Sequence, residues 1–276
     1  MKNDDFEFTP NFIKKSSKNQ IQEEQNKQLN KASTFDLLFK IKIATILVIT
    51  FASFLTIYST SKNMSIFSSN PQNVVEYNKN TISDETFLKA IQFGSLQQIE
   101  EMLKNGANPK AVDEKGRNAF ILASLFNGKP QIVDILKKYN VDINAKDVNG
   151  YDSLMLSIIS NNSLEFSQKL INNGINVNNK TNTDISSLMV AVGTTADQKL
   201  INNIIKAGGD VNYKNKSEIT PLMIASKITQ NPQVIEALLK AGANKNEKDK
   251  YGISIYEIAK SNKALQNNKP LLNKLK

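Results

Sequence analysis

Residues Glu218–Asn246 read EITPLMIASKITQNPQVIEALLKAGANKN, and this stretch carries the signals of two short helices followed by a turn. Pro221 suits the first turn of a helix, because the N–H that proline lacks would have no intrahelical partner there. Apolar residues recur at helical spacing as far as Leu239, and Gly242 suits the position after a helix end, where a left-handed backbone is needed. Helices this short are marginal alone in water, so the stretch requires neighbours of the same kind.

The chain supplies those neighbours, because five sequence columns recur at a step of 34 residues. They are a helix-end column (Gly106, Asn140, Gly174, Gly208, Gly242), a small-residue column (Ala123, Ser157, Ala191, Ala225, Ala259), an apolar column (Phe120, Leu154, Leu188, Leu222), a turn column (Gly116, Gly150, Asp184, Glu218, Gly252) and an asparagine column (Asn144, Asn178, Asn212, Asn246). Self-similarity at a fixed period of this length is the signature of a solenoid. The small residues allow close helix packing, and the apolar column predicts core. The asparagine column, with Asn-Gly or Asp-Gly a few residues later, predicts a hairpin turn between repeats.

The array resembles the ankyrin-repeat family, and its residue usage is typical of the AT-rich genomes of host-associated bacteria. The family signature Thr-Pro-Leu-His is present in part, as Thr220-Pro221-Leu222 followed by Met223. The resemblance implies an all-α repeat fold, an ankyrin solenoid of helix-turn-helix pairs with connecting β-hairpin loops. Asp184 and Glu218 stand where glycine is expected and predict irregular turns there. The predicted ankyrin-repeat domain covers 83–276, with a cap at 83–112, repeats at 113–146, 147–180, 181–214 and 215–248, and a C-terminal cap at 249–276.

Composition argues against catalysis. The 276 residues include no Cys and no His, which excludes the usual zinc sites and the Ser–His and Cys–His nucleophile pairs. The sequence contains no P-loop and no metal-binding motif, so we expect no enzyme activity, no cofactor and no small-molecule substrate. The net charge of +9 comes mostly from lysines spread along the chain, without a dense basic stripe carrying aromatics, so we expect no nucleic-acid partner.

An uncharged segment of 19 residues, Ile43 to Ser61, precedes the repeats. A mostly apolar run of this length predicts a transmembrane helix, which we place at 37–61. The polar residues 1–36 are predicted to form a flexible tail, and residues 62–82 a linker. A cleaved signal peptide is the alternative, because Ser59-Thr60-Ser61 provides small residues, but the preceding leader is longer than a usual n-region.

Lysines flank this segment unequally. Four of them precede it and one follows it closely: Lys27, Lys31, Lys40 and Lys42 before, and Lys62 after. The positive-inside rule therefore predicts a single-pass protein with a cytoplasmic N-terminus. The repeats would lie on the far side of the membrane, which is the periplasm in a Gram-negative bacterium.

The resemblance also implies where a partner would bind, since ligands of this family contact the turn tips and the first helices. Carried over by column, the predicted protein-binding residues are Lys115, Arg117, Asn149, Tyr151, Thr183, Ile185, Ser217, Ile219 and Tyr251, with Leu125, Phe126 and Ile159 among the first-helix positions. Arg117 and Tyr151 stand out, because Arg and Tyr are enriched among interface hot spots.

Together these observations predict a membrane-anchored ankyrin-repeat protein that binds another protein without catalysis. Two alternatives stay open: a secreted ankyrin effector that acts on host-cell proteins, and a scaffold of the cell envelope. The fold alone does not identify the partner.

Overall fold

The computed structural model describes residues 82–194 and 197–276. The predicted tail, the predicted membrane helix and the linker before Ile82 lie outside the described residues. Within the part that is described, none of the helices is long and apolar enough to cross a membrane.

The described residues form six pairs of helices. In chain order they are α1 Asp84–Phe93, α2 Leu96–Lys104, α3 Ala119–Leu122, which continues as a π-helix at Ala123–Asn127, α4 Gln131–Lys138, α5 Ser153–Ile159, α6 Leu164–Asn172, α7 Ser187–Thr194, α8 Gln198–Lys206, α9 Pro221–Ile228, α10 Pro232–Lys240, α11 Ile255–Ser261 and α12 Lys269–Lys274. The first helix of each pair packs on the first helices of adjacent pairs, and the second helices from α2 to α10 do the same. This nearest-neighbour packing is the architecture of a solenoid.

The first helices begin at side chains that cap them. Most of these residues also lie one repeat apart: Ser83, Asn118, Asp152, Thr220 and Ser254. The Asp152 carboxylate, for example, accepts the Met155 N–H at 2.8 Å. Such a cap satisfies a helix N–H that has no intrahelical partner.

The second helices end in one recurrent left-handed turn, as the helix-end column predicts. Gly174 has φ of 92°, and Asn140 takes the same position with φ of 57°. The Ile175 N–H then bonds to the Leu170 carbonyl at 3.3 Å, which is the Schellman pattern. The same bond recurs in the other four pairs that carry this column.

The apolar and small-residue columns form the core, as predicted. Phe120, Leu154, Leu188 and Leu222 are at most 1% exposed, and every member of the small-residue column is fully buried. These residues lie in one continuous hydrophobic cluster that runs from Phe87 to Leu275. Short helices that would be marginal alone are therefore stabilised by packing on both neighbours.

The connections between pairs correct the expected β-hairpin loops. No strand occurs in the described residues, where two isolated antiparallel bridges, Lys180–Ser186 and Lys248–Ser254, replace it. The expected irregularity at Asp184 and Glu218 is also wrong. Both adopt the left-handed backbone that glycine has in the other turns, with φ of 64° and 61°.

The residue that lengthens this period beyond the family's usual one of about 33 lies after the first helix. In the 113–146 repeat the chain forms a π-helix there, and the Gly128 N–H bonds to the Ala123 carbonyl at 2.9 Å. In the following repeat the Asn162 N–H bonds to the Ser157 carbonyl at 3.0 Å in the same way. The extra residue is accommodated in a wider turn, so both helices keep their place in the stack.

Candidate protein-interaction surface

The predicted binding residues fall into two columns of the turns between helix pairs. The tip column is Lys115, Asn149, Thr183, Ser217 and Tyr251, and the base column is Arg117, Tyr151, Ile185 and Ile219. In the tip column the first three are exposed and the last two are half-buried, whereas the whole base column is half-buried. The structure displays the tip column and packs the base column against the helices. Whether either column contacts a partner stays a prediction.

Each turn is held by the residue that opens it. The Asp113 carboxylate accepts the Lys115 N–H at 2.9 Å and the Arg117 N–H at 3.0 Å. Asp147, Asn215 and Asp249 accept the same pair of N–H groups in their own turns, and the Thr181 hydroxyl accepts one of them. The tips are therefore fixed locally before any partner binds.

Arg117 is engaged within its own turn. Its Nε lies 2.7 Å from the Asp113 carboxylate, and its side chain is 17% exposed. Burial alone would raise the pKa of Asp113, but the hydrogen bonds and charge of Arg117 outweigh it and lower that pKa. A partner that used Arg117 would have to compete with this ion pair.

Tyr151, Ile185 and Ile219 pack against the hydrophobic cluster. Burial, and then the nearby charge of Asp147, raise the pKa of Tyr151. The base column therefore stabilises the turns and leaves only part of each side chain for a partner.

Backbone hydrogen bonds join the first turns to one another. The Val148 N–H donates to the Lys115 carbonyl at 3.0 Å, and the Asn182 N–H donates to the Asn149 carbonyl at 2.9 Å. A Cβ on Gly150 would lie 2.6 Å from the Asn182 nitrogen, so this contact requires glycine. The tips of adjacent repeats are therefore in direct register.

At the following seam, where the repeats of Asp184 and Tyr213 meet, a side chain makes the link. The Asp184 carboxylate accepts the Lys216 N–H at 2.8 Å and a short hydrogen bond from the Tyr213 hydroxyl. The Tyr213 bond is the largest cause that lowers the pKa of Asp184. Burial and then Asp184 raise the pKa of Tyr213 to about 12. Sequence reasoning missed this pair because it treated Asp184 as a defect.

The asparagine column also joins repeats, a role that the sequence did not reveal. The side-chain oxygens of Asn144, Asn178 and Asn212 accept the backbone N–H of the residue 32 positions later, at 2.7, 2.9 and 2.7 Å. The amide groups of Asn178 and Asn212 also donate to Gly208 and Gly242. Each asparagine thus satisfies backbone groups left open by the helix end of the next repeat.

A sixth column, which sequence analysis overlooked, consists of Lys146, Lys180, Lys214 and Lys248, all of them exposed. Lys146 Nζ donates to the Lys180 carbonyl at 3.1 Å. Lys180 Nζ lies 3.8 Å from the centre of the Tyr213 ring, and Lys214 Nζ lies 2.8 Å from Glu247. The step of 34 residues was the available signal. We call these four residues the lysine column.

The ends of the first helices expose apolar side chains near the N-terminal end of the described array. Phe93 is 37% exposed, and its ring centre lies 5.9 Å from that of Phe126. Leu125 and Ile159, at the same end of the next two first helices, are half-buried. Sequence analysis missed Phe93 because the first repeat is one residue shorter. Elsewhere in the described residues, no group of three or more His, Cys, Asp or Glu side chains could hold a metal ion.

Comparison with known proteins identifies the repeat. A family model described as ankyrin repeats (3 copies) matches residues 87–181, and one described as ankyrin repeats (many copies) matches residues 204–259. Together they cover more than half of the chain. No curated protein matches it.

Among the 456 chains of solved structures that match, one comes from the complex of the predatory endopeptidase Bd0816 of Bdellovibrio bacteriovorus with the immunity protein Bd3460. The two chains are 24% identical with a TM-score of 0.61, and the alignment covers 71% of the present chain and 100% of the other. At this identity the likeness shows a shared fold.

Proposed function

The chain belongs to the ankyrin-repeat family, and from that membership we propose that it binds another protein through its turn tips and first-helix ends, without catalysis. The observation that carries this proposal is the construction of the tips. Each turn is fixed by its opening residue, and adjacent tips are linked by backbone bonds such as Asn182 to Asn149. A surface ordered in advance loses little conformational entropy on binding.

We further propose that Ile43 to Ser61 anchors the protein as a single-pass membrane helix. Its support is the uncharged run itself, together with the lysines before it, which favour a cytoplasmic N-terminus. The repeats would then face partners on the far side of the membrane, in the periplasm if the cell is Gram-negative. Endopeptidases are the first partner class to test, because a chain of the same fold comes from an endopeptidase–immunity protein complex.

Site-specific photo-crosslinking tests the binding surface. A photoreactive residue is placed at the exposed tips Asn149 or Thr183 of the full-length protein, and matched controls carry it at the exposed outer positions Gln131 or Glu165. We expect a discrete cross-linked partner from the tip positions and none from the controls. Equal cross-linking from both sets, or cross-linking from the outer helices alone, would contradict the proposed surface.

Membrane anchoring has its own test. The full-length protein should stay with membranes after a carbonate wash, and a variant without residues 43–61 should be released. A reporter that is active only outside the cytoplasm, fused after Lys276, should be active. Release of the full-length protein by carbonate, or activity of only a cytoplasmic reporter at Lys276, would refute the anchor or its orientation respectively.

A further inference from the structure

We propose that the lysine column binds an extended acidic segment of the partner, with carboxylates spaced to match the repeats. This inference rests on the proposed function and names the chemistry of the partner at that same surface. Three of the four lysines, Lys146, Lys180 and Lys248, form no ion pair with any carboxylate of the described residues. The fourth, Lys214, is neutralised by Glu247.

The lysines are held in defined places and keep their charge. Lys146 Nζ bonds to a carbonyl of the following repeat, and Lys180 Nζ lies over the ring of Tyr213, which also belongs to the following repeat. A carbonyl or an aromatic ring orients an ammonium group without cancelling its charge, and donor positions remain for a second partner. The column therefore presents positive charges at successive seams.

Formal charge alone would conceal this feature, since the same turns contain several acidic residues. Most of their carboxylates are engaged in the fold. Asp147 and Asp249 each accept two turn N–H groups, Asp113 pairs with Arg117, and Asp184 bonds to Tyr213 and Lys216. Glu114 and Glu218 are the exposed exceptions. Short carboxylates drawn into turns and long lysines on the outside mean that an approaching partner meets ammonium groups first.

The spacing of the column selects the shape of the partner. Packed helices of neighbouring repeats lie about 8–10 Å apart, so successive lysines are separated by a similar distance. Three residues of extended chain cover about 10 Å. A carboxylate at every third residue of an extended segment would therefore stay in step with the column. Phosphates of duplex DNA are much closer, at about 3.4 Å per charge along one strand, and do not match this spacing.

The experiment measures binding of synthetic peptides to the full-length protein by fluorescence anisotropy. The matched peptide contains four Glu-Thr-Ser triplets. One control peptide has the same composition with the glutamates consecutive, and a second replaces glutamate by glutamine. We expect the matched peptide to bind at least fivefold more tightly than the consecutive control. Equal affinity of the two acidic peptides would overturn the spacing argument, and tighter binding of a single-stranded oligonucleotide at the same salt would overturn the choice of partner.

Two sets of variants locate the binding. Replacement of Lys146, Lys180 and Lys248 by Gln should weaken binding of the matched peptide about tenfold, because each exposed pair contributes modestly. The control set removes the same charge from the exposed outer positions Lys137, Lys199 and Lys206 and should change affinity less than twofold. Equal losses from both sets would show nonspecific attraction and overturn the proposal.

A gain of affinity gives the sharpest test, since a folding defect does not produce one. Glu247→Gln frees Lys214 and should tighten binding of the matched peptide about threefold; unchanged or weaker binding would overturn the role of the column. If the matched peptide fails to bind while the turn tips still cross-link a partner, the acidic-segment inference falls and the proposed function stands. If both fail, the interaction surface itself is wrong.

Discussion

Asp184 occupies the left-handed position of its turn with φ of 64°, where three of the other turns have glycine. A residue with a Cβ is strained there, by about 1 kcal/mol or somewhat more. The carboxylate offsets this strain with its bonds to Tyr213 and the Lys216 N–H. Sequence patterns reveal that a residue departs from a column, but they do not reveal a compensating bond to a residue in another repeat. For that reason the position was misread as irregular.

This balance predicts different effects for two substitutions at one site. Asp184→Ala keeps the strain and loses both bonds, so it should lower the free energy of unfolding by about 2 kcal/mol. Asp184→Gly loses the bonds but removes the strain, and should cost less than half as much. Urea unfolding followed by circular dichroism measures both changes. If alanine and glycine were equally destabilising, backbone strain at Asp184 would be unimportant.

The same pair predicts how stability depends on pH. The pKa of Asp184 is lowered in the fold, so its contribution is present above the unfolded value, about 3.9, and is lost as pH falls below it. The pKa of Tyr213 is raised to about 12, so its contribution is present below 10.0 and is lost as pH rises from 10.0 to about 12. The contact is therefore complete at neutral pH.

Ultraviolet titration of phenolate checks the Tyr213 value, because the difference between the wild type and Tyr213→Phe reports that one phenol. In Asp184→Asn, which removes the charge and keeps a hydrogen-bond acceptor, the pKa of Tyr213 should move down towards 10.0. A Tyr213 that titrates with the same pKa in both backgrounds would show that Asp184 does not influence it.

At the scale of elements, the helices and their core were predictable and the connections less so. The apolar column is buried because its members repeat with the period of the stack, and the period is visible in the sequence. The π-helix at Ala123–Asn127 was foreseen only as the place of an extra residue, since one inserted residue can be absorbed as a bulge or as a longer loop. The expected hairpins became tight turns because two isolated bridges suffice where side chains hold the backbone.

The turns and the helix ends differ in how much room their glycines have. Gly150 and Gly174 are both left-handed, with φ of 82° and 92°. A Cβ on Gly150 would meet the Asn182 backbone at 2.6 Å, whereas nothing lies within 4 Å of a Cβ on Gly174. We expect Gly174→Ala to lower the free energy of unfolding by about 1 kcal/mol, from backbone strain alone. Gly150→Ala should cost at least twice that.

Equilibrium unfolding in urea compares these two alanine variants directly, and each is the control for the other. The slope of free energy against urea should be the same in both variants, which shows that the same surface is exposed on unfolding. A smaller loss for Gly150→Ala than for Gly174→Ala would mean that the turns of adjacent repeats are not in the close register described above.

For the molecule as a whole, stability should be divided among the repeats rather than concentrated at one centre. Each helix pair contacts the pairs beside it, so intrinsic stability and neighbour contacts add along the array. The array was predictable from its period because each repeat obeys the same packing rules. The lysine column and the Asp184–Tyr213 contact were harder to foresee, because they depend on which residues of different repeats meet at a seam.

This division predicts that equivalent losses of core have different reach according to their place. Leu188 is 1% exposed and has neighbours on both sides, whereas Leu271 is 2% exposed and lies in the last helix of the chain. Replacement of either by Ala removes similar apolar surface, at a cost of about 3 kcal/mol. In Leu188→Ala, amide hydrogen exchange should accelerate in the helices on both sides, α5 and α9. In Leu271→Ala, faster exchange should be confined to α11 and α12, because the rest of the array keeps all of its contacts. Exchange that accelerates uniformly through both variants would show instead that the repeats unfold as one cooperative unit.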